Sequence, residues 1–253
     1  MEAKNQSVMK AFEIIERLSE HPKGLSLAEL SDLLQSNKTT LLRFLSSLRE
    51  MGYVDQKPDK TYRLTLKLYA LSSRVMNEQS LVQVARPHLK ALAHEIDEVV
   101  HLVIEDDLYV IYVDKVESDH PVTMRSRIGA RAPMIVTGVG KALMAEKSDA
   151  EIRHIWEASP HEKRTPQTIL TFEAFMKRME ETRRTGIAYD LEENEEDIMC
   201  TAAVIHGAGH QVMAALSVTG PTYRMKDKMG HALDERVRQT ARAISRDLGD
   251  VLE

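Results

Sequence analysis

The sequence predicts an α+β fold in which a small helical N-terminal domain precedes a larger C-terminal domain built on one mainly antiparallel sheet flanked by helices. Residues 25–65 hold two short amphipathic helices and a basic hairpin. Strand-like runs further along the chain are grouped, with helices before, between and after them. Grouped strands favour an antiparallel sheet over a doubly wound parallel one. At 253 residues the chain is long enough for two domains with separate cores.

The helix pair is predicted from the spacing of leucines. Apolar residues recur every three to four positions in two runs interrupted at residues 35–37: Leu27, Leu30, Leu33 and Leu34, then Leu41, Leu45, Leu48 and Gly52. That spacing is typical of helices that bury one face. With Leu41 toward the core, the second helix presents small hydroxyl side chains around one arginine, which suits base edges in a major groove. The residues predicted to contact DNA from this helix are Lys38, Thr39, Thr40, Arg43, Ser46 and Ser47.

A basic hairpin follows the helix pair. The segment YVDQKPDKTYRLT alternates in polarity, turns at Pro58–Asp59 and carries Lys57, Lys60 and Arg63. Helix, turn, helix and hairpin in this order predict a winged helix-turn-helix DNA-binding domain over residues 1–64.

Charge separates the two ends of the chain. Residues 1–75 contain twelve Lys and Arg against nine Asp and Glu, a net of +3, and the whole chain carries −5, which leaves −8 for the remainder. A basic end on an acidic protein is typical of a protein that contacts DNA with that end alone. The alternative is a small helical subdomain with a solvated charged face.

Further helices are predicted on either side of this region. A first amphipathic helix, capped by Ser7, is indicated by Val8, Ala11, Phe12, Ile15 and Leu18. After the hairpin, a helix from Thr65 to about Met76 lies in a linker over residues 65–79. Ser80 caps the next helix, in which Pro87 predicts a kink, and opens a C-terminal domain over residues 80–253.

The C-terminal domain is predicted to contain five strands and four later helices. The strands begin at Val99, Leu108 and Val122 and lie near Met199–His206 and Gln211–Thr219. The helices lie near Gly140–Ala145, Asp149–Ala158, Phe172–Thr185 and Lys226–Leu248.

Composition favours a cytoplasmic protein without a membrane partner. The longest apolar runs, YVIYV and VMAAL, are too short to cross a bilayer, and the first residues show no apolar stretch of a secretory signal. The single cysteine, Cys200, excludes an internal disulfide framework and fits a reducing compartment.

The segment VTGVGKAL shares glycines and a lysine with phosphate-binding loops. The full pattern needs a glycine where Ile135 stands and a Ser or Thr where Ala142 stands, so we predict neither a nucleotide site nor any other cofactor. Two interpretations of Gly138 and Gly140 stay open. Their backbone N–H groups bind an anion at the start of the following helix, or the glycines form a plain turn.

Other candidate chemistry is weaker. His206 and His210 flank two glycines in HGAGH, which predicts a hairpin turn whose imidazoles need not converge, so solvated histidines are favoured over metal ligands. Cys200 is interpreted as a small buried thiol, with a nucleophile as the alternative, because no base is placed beside it by the sequence. The acidic run Asp190–Asp197 indicates a solvated loop.

Three segments resemble the IclR (isocitrate-lyase-regulator) family of bacterial transcription factors. Residues 7–64, with NKTTLLRFL and GYVDQ, match the family's winged helix-turn-helix, and RIGARAPMIVTGVGKALMA is similar to its central motif. The third segment resembles the C-terminal signature of the family and reads GIAYDLEENEEDIMCTAAVIHGAGHQVMAALSVTGPTYRM. Four residues of this segment stand at the spacing of the family: Gly186, Asp190, Glu193 and Cys200. Two residues at the strand end depart from it. Thr201 stands where the family usually has an aliphatic residue, and Gly207 where it usually has Asp or Asn.

The resemblance implies a GAF-like C-terminal domain that binds a small carboxylated metabolite, in a repressor that acts as a dimer or dimer of dimers. Carried onto this chain, the effector pocket involves Pro121, Thr123, Met124, Gly138, Val139, Asp190, Cys200, Ser217 and Thr219. Ser217 and Thr219 share one strand face by the period of two, as hydroxyls converging on a carboxylate would require.

The linker helix also predicts assembly. This helix has an apolar flank that the short N-terminal domain leaves uncovered, made of Leu66, Leu68, Leu71 and Val75. We therefore expect two such helices to pair, so that two N-terminal domains bind an inverted repeat of DNA. The favoured function is a ligand-responsive transcription regulator. The alternative is an enzyme, a Cys200-dependent hydrolase that carries a DNA-binding domain.

Overall fold

A computed structural model describes residues 5–75, 81–120 and 126–250, without the side chains of residues 72–75. The chain divides into two compact units, Met1–Glu78 and Gln79–Glu253, which we call the head and the body. Helices together with an antiparallel sheet confirm the predicted α+β class. Among the described residues, no helix combines the length and the apolar character needed to cross a membrane.

The described part of the head consists of helices and one hairpin in the predicted order. The elements are α1 (Gln6–Ser19), α2 (Leu27–Leu33), α3 (Lys38–Glu50), β1 (Val54–Gln56), β2 (Tyr62–Leu64) and α4 (Lys67–Val75). Ser26 and Glu29 form a capping box that starts α2, and the Asn37 side chain accepts a hydrogen bond from the Thr40 N–H to start α3. These caps fix the turn between the two helices.

Leucines of α2 and α3 form the centre of the head core, as the spacing predicts. The buried members include Leu30, Leu34, Leu41, Leu45 and Leu48, with Ile14 and Leu18 from α1 and Val54 and Tyr62 from the hairpin. Leu33 is the exception, since it is 47% exposed. At 3.6 residues per turn, Leu30 and Leu34 share a face from which Leu33 points away.

Helix α1 differs from its prediction in cap and in phase. The cap is Asn5, whose side chain accepts hydrogen bonds from the N–H groups of Ser7 and Val8, so Ser7 lies inside the helix. Val8 and Phe12 are more than half exposed, because Ile14 and Leu18 set the buried face. The head therefore carries an uncovered apolar strip on α1.

The body is built on a six-stranded sheet. Its strands are β3 (Val99–Asp106), β4 (Tyr109–Val116), β5 (Arg131–Pro133), β6 (Ala188–Leu191), β7 (Ile198–His206) and β8 (Val212–Pro221). They lie in the order β5-β4-β3-β8-β7-β6, and each neighbouring pair is antiparallel. The predicted antiparallel sheet is confirmed.

Helices pack on both faces of this sheet. They are α5 (Leu81–Ile96), α6 (Gly138–Ala145), α7 (Asp149–Ala158), α8 (Phe172–Thr185), α9 (Thr222–Lys228) and α10 (His231–Asp247). One core joins the sheet to α5 and α10, and the other joins it to α6, α7 and α8. Side chains alternate between the cores: Leu216 enters the first and Ala215 the second. Residues in phase with Ala215 therefore face α6.

Several body elements differ from their predictions. Residues 126–129 of the strand predicted from Val122 are irregular with a turn, and residues 122–125 lie outside the described residues, as does the predicted cap Ser80. The strands β5 and β6 were not predicted, because three or four residues are too short for an alternating pattern to be recognised. The predicted last helix is split before Gly230, which has φ +131°.

Candidate functional site

The head presents a candidate nucleic-acid interface on α3. Lys38, Thr39, Arg43, Ser46 and Ser47 are exposed, and Thr40 is half-buried. The opposite face of the helix is buried in the head core. The Ser47 hydroxyl donates to the Arg43 carbonyl at 3.2 Å, so it is engaged within its own helix. Arg43 lies on the exposed side of α3, away from the leucines that the helix buries.

The hairpin of β1 and β2, which we call the wing, places its cations in three different settings. Lys60 is exposed at the tip, where it adopts a left-handed φ of +67°. The Lys57 ammonium donates to the Lys23 carbonyl at 3.2 Å, and Arg63 lies 3.5 Å from the Asp55 carboxylate. Lys60 therefore offers its charge to solvent at the hairpin tip, whereas the other two are already engaged.

Arg49 is an exposed cation on α3 that the sequence reasoning missed. It donates to the Gln56 side chain at 3.1 Å and thereby links the last turn of α3 to the wing. Arg49 lies six residues after Arg43 and therefore about 120° away around the helix, so apolar spacing alone does not distinguish it from a solvated residue.

In the body, strand pairing brings together residues that are far apart in the sequence. Asp190 in β6 pairs with Cys200 in β7, which pairs with Thr219 in β8, so these residues form one row across the sheet. In the next row, Ser217 pairs with His101 of β3. The hydroxyls of Ser217 and Thr219 lie 3.3 Å apart, which confirms that they share one face.

The glycine segment begins a helix directly above this row. A Cβ atom at Gly138 would lie 2.5 Å from the Cys200 sulfur, and one at Gly140 would collide with the backbone of Met134. Glycine is therefore required at both positions for close approach. Because α6 starts at Gly138, its first-turn N–H groups have no partner within the helix and lie at the edge of the sheet row.

A cavity of about 230 Å³ lies between the sheet and α6. Five of the predicted effector residues line it: Val139, Asp190, Cys200, Ser217 and Thr219. Gly138 packs against Cys200 and does not itself line the cavity, while Pro121, Thr123 and Met124 lie outside the described residues. A larger depression of about 420 Å³ beside His88 and Asp247 is an open surface groove. The smaller cavity is the more enclosed of the two and is lined by several polar side chains, so it is the better candidate for a ligand site.

The cavity also contains polar residues that sequence reasoning missed: His101, Tyr112, Ser126, Arg131, Thr137, Arg164, Asn194 and Glu195. His101 contacts Thr219 at 3.3 Å and Ser126 at 2.7 Å through its two ring nitrogens. Arg164 lies at the exposed rim, where it donates to the Asn194 carbonyl at 3.0 Å. No local motif distinguishes these residues, since register and loop packing bring them to the cavity.

Burial governs the charge of the cavity. Burial, with some help from Lys115, lowers the pKa of His101 to about 3, so this imidazole is neutral at pH 7. Burial, reinforced by Asp190, raises the pKa of Cys200 to about 12, so its sulfur stays a thiol. Burial, opposed by Lys141 and reinforced by Glu193, raises the pKa of Asp190 to about 7. A protonated thiol is a poor nucleophile, which agrees with the interpretation of Cys200 as a wall of the cavity.

A buried ion pair holds α6 against the loop after β6. The Lys141 ammonium lies 2.5 Å from the Glu193 carboxylate and 2.7 Å from the Tyr189 carbonyl, and both side chains of the pair are almost fully buried. The prediction of a solvated acidic loop is therefore wrong for Asp190 and Glu193, although residues 195–197 are exposed. The buried lysine needs a carboxylate partner, which explains the acid at position 193.

His206 and His210 correct a second prediction. Their rings stack with centroids 3.9 Å apart, so the imidazoles converge although the turn between them contains glycines. His210 also lies 3.0 Å from Asp250, and His206 approaches Glu146 at 3.4 Å. These histidines are therefore a cluster rather than separate solvated side chains.

Comparison with known proteins gives concordant matches. The chain matches the IclR helix-turn-helix domain over residues 7–58 and the bacterial transcriptional regulator IclR C-terminal domain over residues 73–246. The DNA-binding transcriptional repressor YiaJ of Escherichia coli strain K12 is 33% identical, with 98% of this chain and 89% of that protein covered. The Thermotoga maritima IclR crystal structure has a TM-score of 0.79 at 27% identity, covering 97% of this chain and 100% of that chain.

A further solved structure shares the fold alone. It is an IclR homologue from Microbacterium hydrocarbonoxydans in complex with 4-hydroxybenzoate, with a TM-score of 0.81 at 20% identity over 94% of this chain and 98% of that chain. The family matches and the curated relative are transcriptional regulators, so the alternative of a Cys200-dependent hydrolase is wrong. The chain belongs to the IclR family and is a DNA-binding transcriptional regulator.

Proposed function

We propose that this regulator is a repressor that binds an inverted-repeat operator as a homodimer, or as a dimer of dimers, and senses a small carboxylated metabolite in the body cavity. Residues 1–64 bind DNA, residues 65–79 form the linker between the two domains, and residues 80–253 bind the effector. A regulator that acts on bacterial DNA works in the cytoplasm. The relative YiaJ is a DNA-binding transcriptional repressor, which supports repression as the mode of action.

The exposed face of α3 supports sequence-specific binding. Arg43 is the bidentate donor of this face, with the hydroxyls of Thr39 and Ser46 one turn to either side. Phosphate contacts set the register of the protein on DNA without reading its sequence. We assign them to Lys38 and Thr40 in the first turn of α3 and to the wing cations Lys57, Lys60 and Arg63. Lys60 contributes most among the wing cations.

Uncovered apolar side chains of the head support dimerisation. Leu66, just before α4, is 82% exposed, and Leu71 on α4 is also exposed. On α1, Val8 and Phe12 add to the uncovered surface. One small winged head makes few phosphate contacts, so two heads on one operator raise both affinity and specificity. The side chain of Val75 lies outside the described residues.

The observation that carries the effector proposal is the small polar cavity between α6 and the sheet. At about 230 Å³ it is below the usual size of drug-binding pockets, which fits a small metabolite. The donors for a carboxylate are the hydroxyls of Ser217 and Thr219, the N–H group of Val139 and the Arg164 side chain at the rim. The predicted donor Gly138 contributes indirectly, because its N–H group bonds the Cys200 sulfur. The bound 4-hydroxybenzoate of the Microbacterium homologue is itself a small carboxylate.

The test is effector titration of a preformed protein–DNA complex. A duplex selected from a random pool by the full-length protein serves as operator, and 4-hydroxybenzoate with a panel of small aliphatic carboxylates serves as effector. We expect one carboxylate to change the fraction of bound duplex. The double replacement Ser217→Ala and Thr219→Val removes both hydroxyl donors together with their acceptor lone pairs, and it should abolish this response while operator affinity stays unchanged.

A matched control distinguishes loss of the ligand from loss of the fold. Ser159→Ala with Thr182→Val removes two buried body hydroxyls that bond only to carbonyls of their own helices in the described contacts, at 2.7 and 2.9 Å. That control should respond as the natural protein does. A normal response from the Ser217/Thr219 variant would place the effector outside this cavity and contradict the proposal.

A further inference from the structure

Side chains from three parts of the body meet where β7 ends. His206 is the last residue of β7, Glu146 follows the last turn of α6, and His210 lies in the short turn between β7 and β8. One potential ligand atom from each of the three lies within 4.8 Å of the others. A fourth side chain, Asp250, contacts His210 from the segment that follows α10. The cluster is on the surface and shares no residue with the effector cavity.

Asp250 orients the His210 imidazole. One oxygen of its carboxylate lies 3.0 Å from Nδ1 of His210, and the Asp250 side chain is only 8% exposed. When Nδ1–H donates to this carboxylate, the lone pair is on Nε2. A carboxylate behind a histidine is the arrangement that orients metal-ligating imidazoles and raises their basicity.

His206 supplies a second nitrogen. Its side chain is 12% exposed, and Nε2 lies 3.4 Å from the Glu146 carboxylate without a hydrogen-bond partner among the described residues. The backbone N–H of His206 donates to the Ser245 hydroxyl at 2.9 Å, which fixes the strand end beneath the ring. A buried nitrogen without a partner costs free energy, and a cation would supply the partner.

The surrounding charges are compatible with a cation. Arg183 does not compete for the site, since its guanidinium bonds the carbonyls of Ala145 and Lys147 and the Asp149 carboxylate.

We propose that Glu146, His206 and His210 bind one Zn²⁺ or a chemically similar ion such as Co²⁺ or Ni²⁺. Two imidazoles and one carboxylate are ligands that these ions prefer, whereas Mg²⁺ and Ca²⁺ prefer oxygen alone. Three protein ligands leave a fourth position for water. The ion joins the end of α6 to β7 and, through Asp250, to the chain after α10.

Binding requires a small rearrangement. Zn–N bonds of about 2.0–2.1 Å place tetrahedral ligand atoms about 3.3 Å apart, so the side chains close by at most about 1.5 Å. The two stacked rings must also turn so that both nitrogens point at one ion. His210 can turn about its contact with Asp250 because its side chain is 46% exposed and follows Gly209 in a three-residue turn.

The experiment is calorimetric titration of ZnCl₂ into the chelator-stripped full-length chain without an affinity tag. We expect one equivalent per chain, a melting temperature that rises with free zinc, and a Co²⁺ spectrum of a nitrogen and oxygen site without a thiolate band. His210→Ala should weaken binding by at least about 100-fold, and Asp250→Asn by about 10–100-fold. His154→Ala removes an exposed histidine on α7 and should change nothing.

The outcomes decide the proposal. Circular dichroism confirms the fold of each variant, and His210→Ala is chosen because its side chain is exposed. The proposal is overturned by equal zinc affinity in the natural protein and His210→Ala, by the same loss in His154→Ala, or by no stoichiometric binding at micromolar zinc. A thiolate-to-cobalt band would assign the ion to Cys200 and overturn it equally.

Discussion

The proposed DNA-binding surface of the head and the proposed effector cavity of the body differ in the physics by which they would recognise a ligand. The head uses exposed side chains on one helix and one hairpin, whose charges act through water and are screened over about 8 Å at physiological salt. The cavity uses buried groups from several strands, and burial there shifts the pKa of His101, Asp190 and Cys200. Recognition by the head should therefore respond to salt, and recognition by the body to pH and to single buried atoms.

Ion pairs show the same contrast. Arg63 and Asp55 in the wing are about half exposed and lie 3.5 Å apart, whereas Lys141 and Glu193 in the body are almost completely buried at 2.5 Å. An exposed pair contributes little because water solvates each partner when the other is removed. In the body, removing one partner leaves an unpaired charge in a region of low dielectric constant.

The largest expected effect is on the buried pair. Glu193→Gln should lower the free energy of unfolding of the body by about 3–5 kcal/mol, because Lys141 then stays buried without a counter-charge. Denaturant unfolding followed by the fluorescence of Trp156, the single tryptophan and a body residue, measures this.

Two further variants sharpen the result. Replacing both partners with methionine should recover much of the loss, since no charge is then buried. Asp55→Asn in the head should cost less than about 1 kcal/mol, measured by hydrogen exchange of the α3 amides. A loss at Glu193 as small as that at Asp55 would show that water reaches Lys141.

The next effect separates base reading from charge within the head. Arg43→Ala should lower discrimination at one base pair of each half-site by about 1–3 kcal/mol, because a bidentate arginine–guanine contact is lost. Lys60→Ala at the wing tip should weaken all duplexes alike and reduce the salt slope by about one unit.

Binding isotherms over a series of half-site substitutions, repeated at several salt concentrations, measure both effects. Arg43→Ala reports on one position of the operator, and Lys60→Ala is its control on the same head. Equal losses on every duplex for Arg43→Ala would reassign Arg43 to phosphate binding.

The contrast between the two regions also explains what the sequence could predict. The fold of the head depends on local sequence. Leucine spacing, helix caps and a turn at Pro58–Asp59 determine this fold within 40 residues, so the exposed face of α3 also follows from periodicity. Two predictions about the head were wrong, the burial of Leu33 and the buried face of α1, because apolar side chains of the head also occupy exposed positions. Periodicity does not distinguish the core from a surface that another chain covers.

The body site is non-local, and only part of it could be predicted. Ser217 and Thr219 share a face by the period of two, but their approach to His101 depends on the pairing of β3 with β8, which no local pattern encodes. The family resemblance supplied the row that includes Asp190 and Cys200. The rim residue Arg164 belongs to the irregular segment after α7, so no periodicity could have placed it at the cavity.

A smaller effect is expected from pH in the body cavity. Because the pKa of Asp190 is raised to about 7, this carboxyl is mostly neutral at pH 6 and mostly an anion at pH 8. Affinity for a carboxylate effector should therefore fall as pH rises from 6 to 8, by up to about tenfold, because the two anions repel each other. His101 stays neutral and Cys200 stays a thiol over this range, so neither offsets the change.

Effector titration at both pH values measures this dependence. Asp190→Asn keeps the size of the side chain and its acceptor for the Glu193 N–H, which lies at 2.8 Å in the natural protein, and should make the affinity independent of pH. Higher affinity at pH 8 than at pH 6 would mean that another group controls the charge of the cavity.

The smallest effect has opposite signs in the two regions. Thr201 in β7 is fully buried, and its hydroxyl has no hydrogen-bond partner among the described residues. Thr65 in the head donates to the Gly52 carbonyl at 2.6 Å and accepts from the Lys67 N–H at 3.2 Å. Thr201→Val keeps the shape and removes an uncompensated polar group, so it should stabilise the body by about 1 kcal/mol or less. Thr65→Val removes two satisfied hydrogen bonds and should destabilise the head by about 1 kcal/mol.

Trp156 fluorescence measures the effect of Thr201→Val on the body, and hydrogen exchange of the α3 amides measures the effect of Thr65→Val on the head. If both substitutions destabilise equally, Thr201 has a buried water as its partner, and the polar hydroxyl at this otherwise aliphatic family position stabilises β7 instead of straining it.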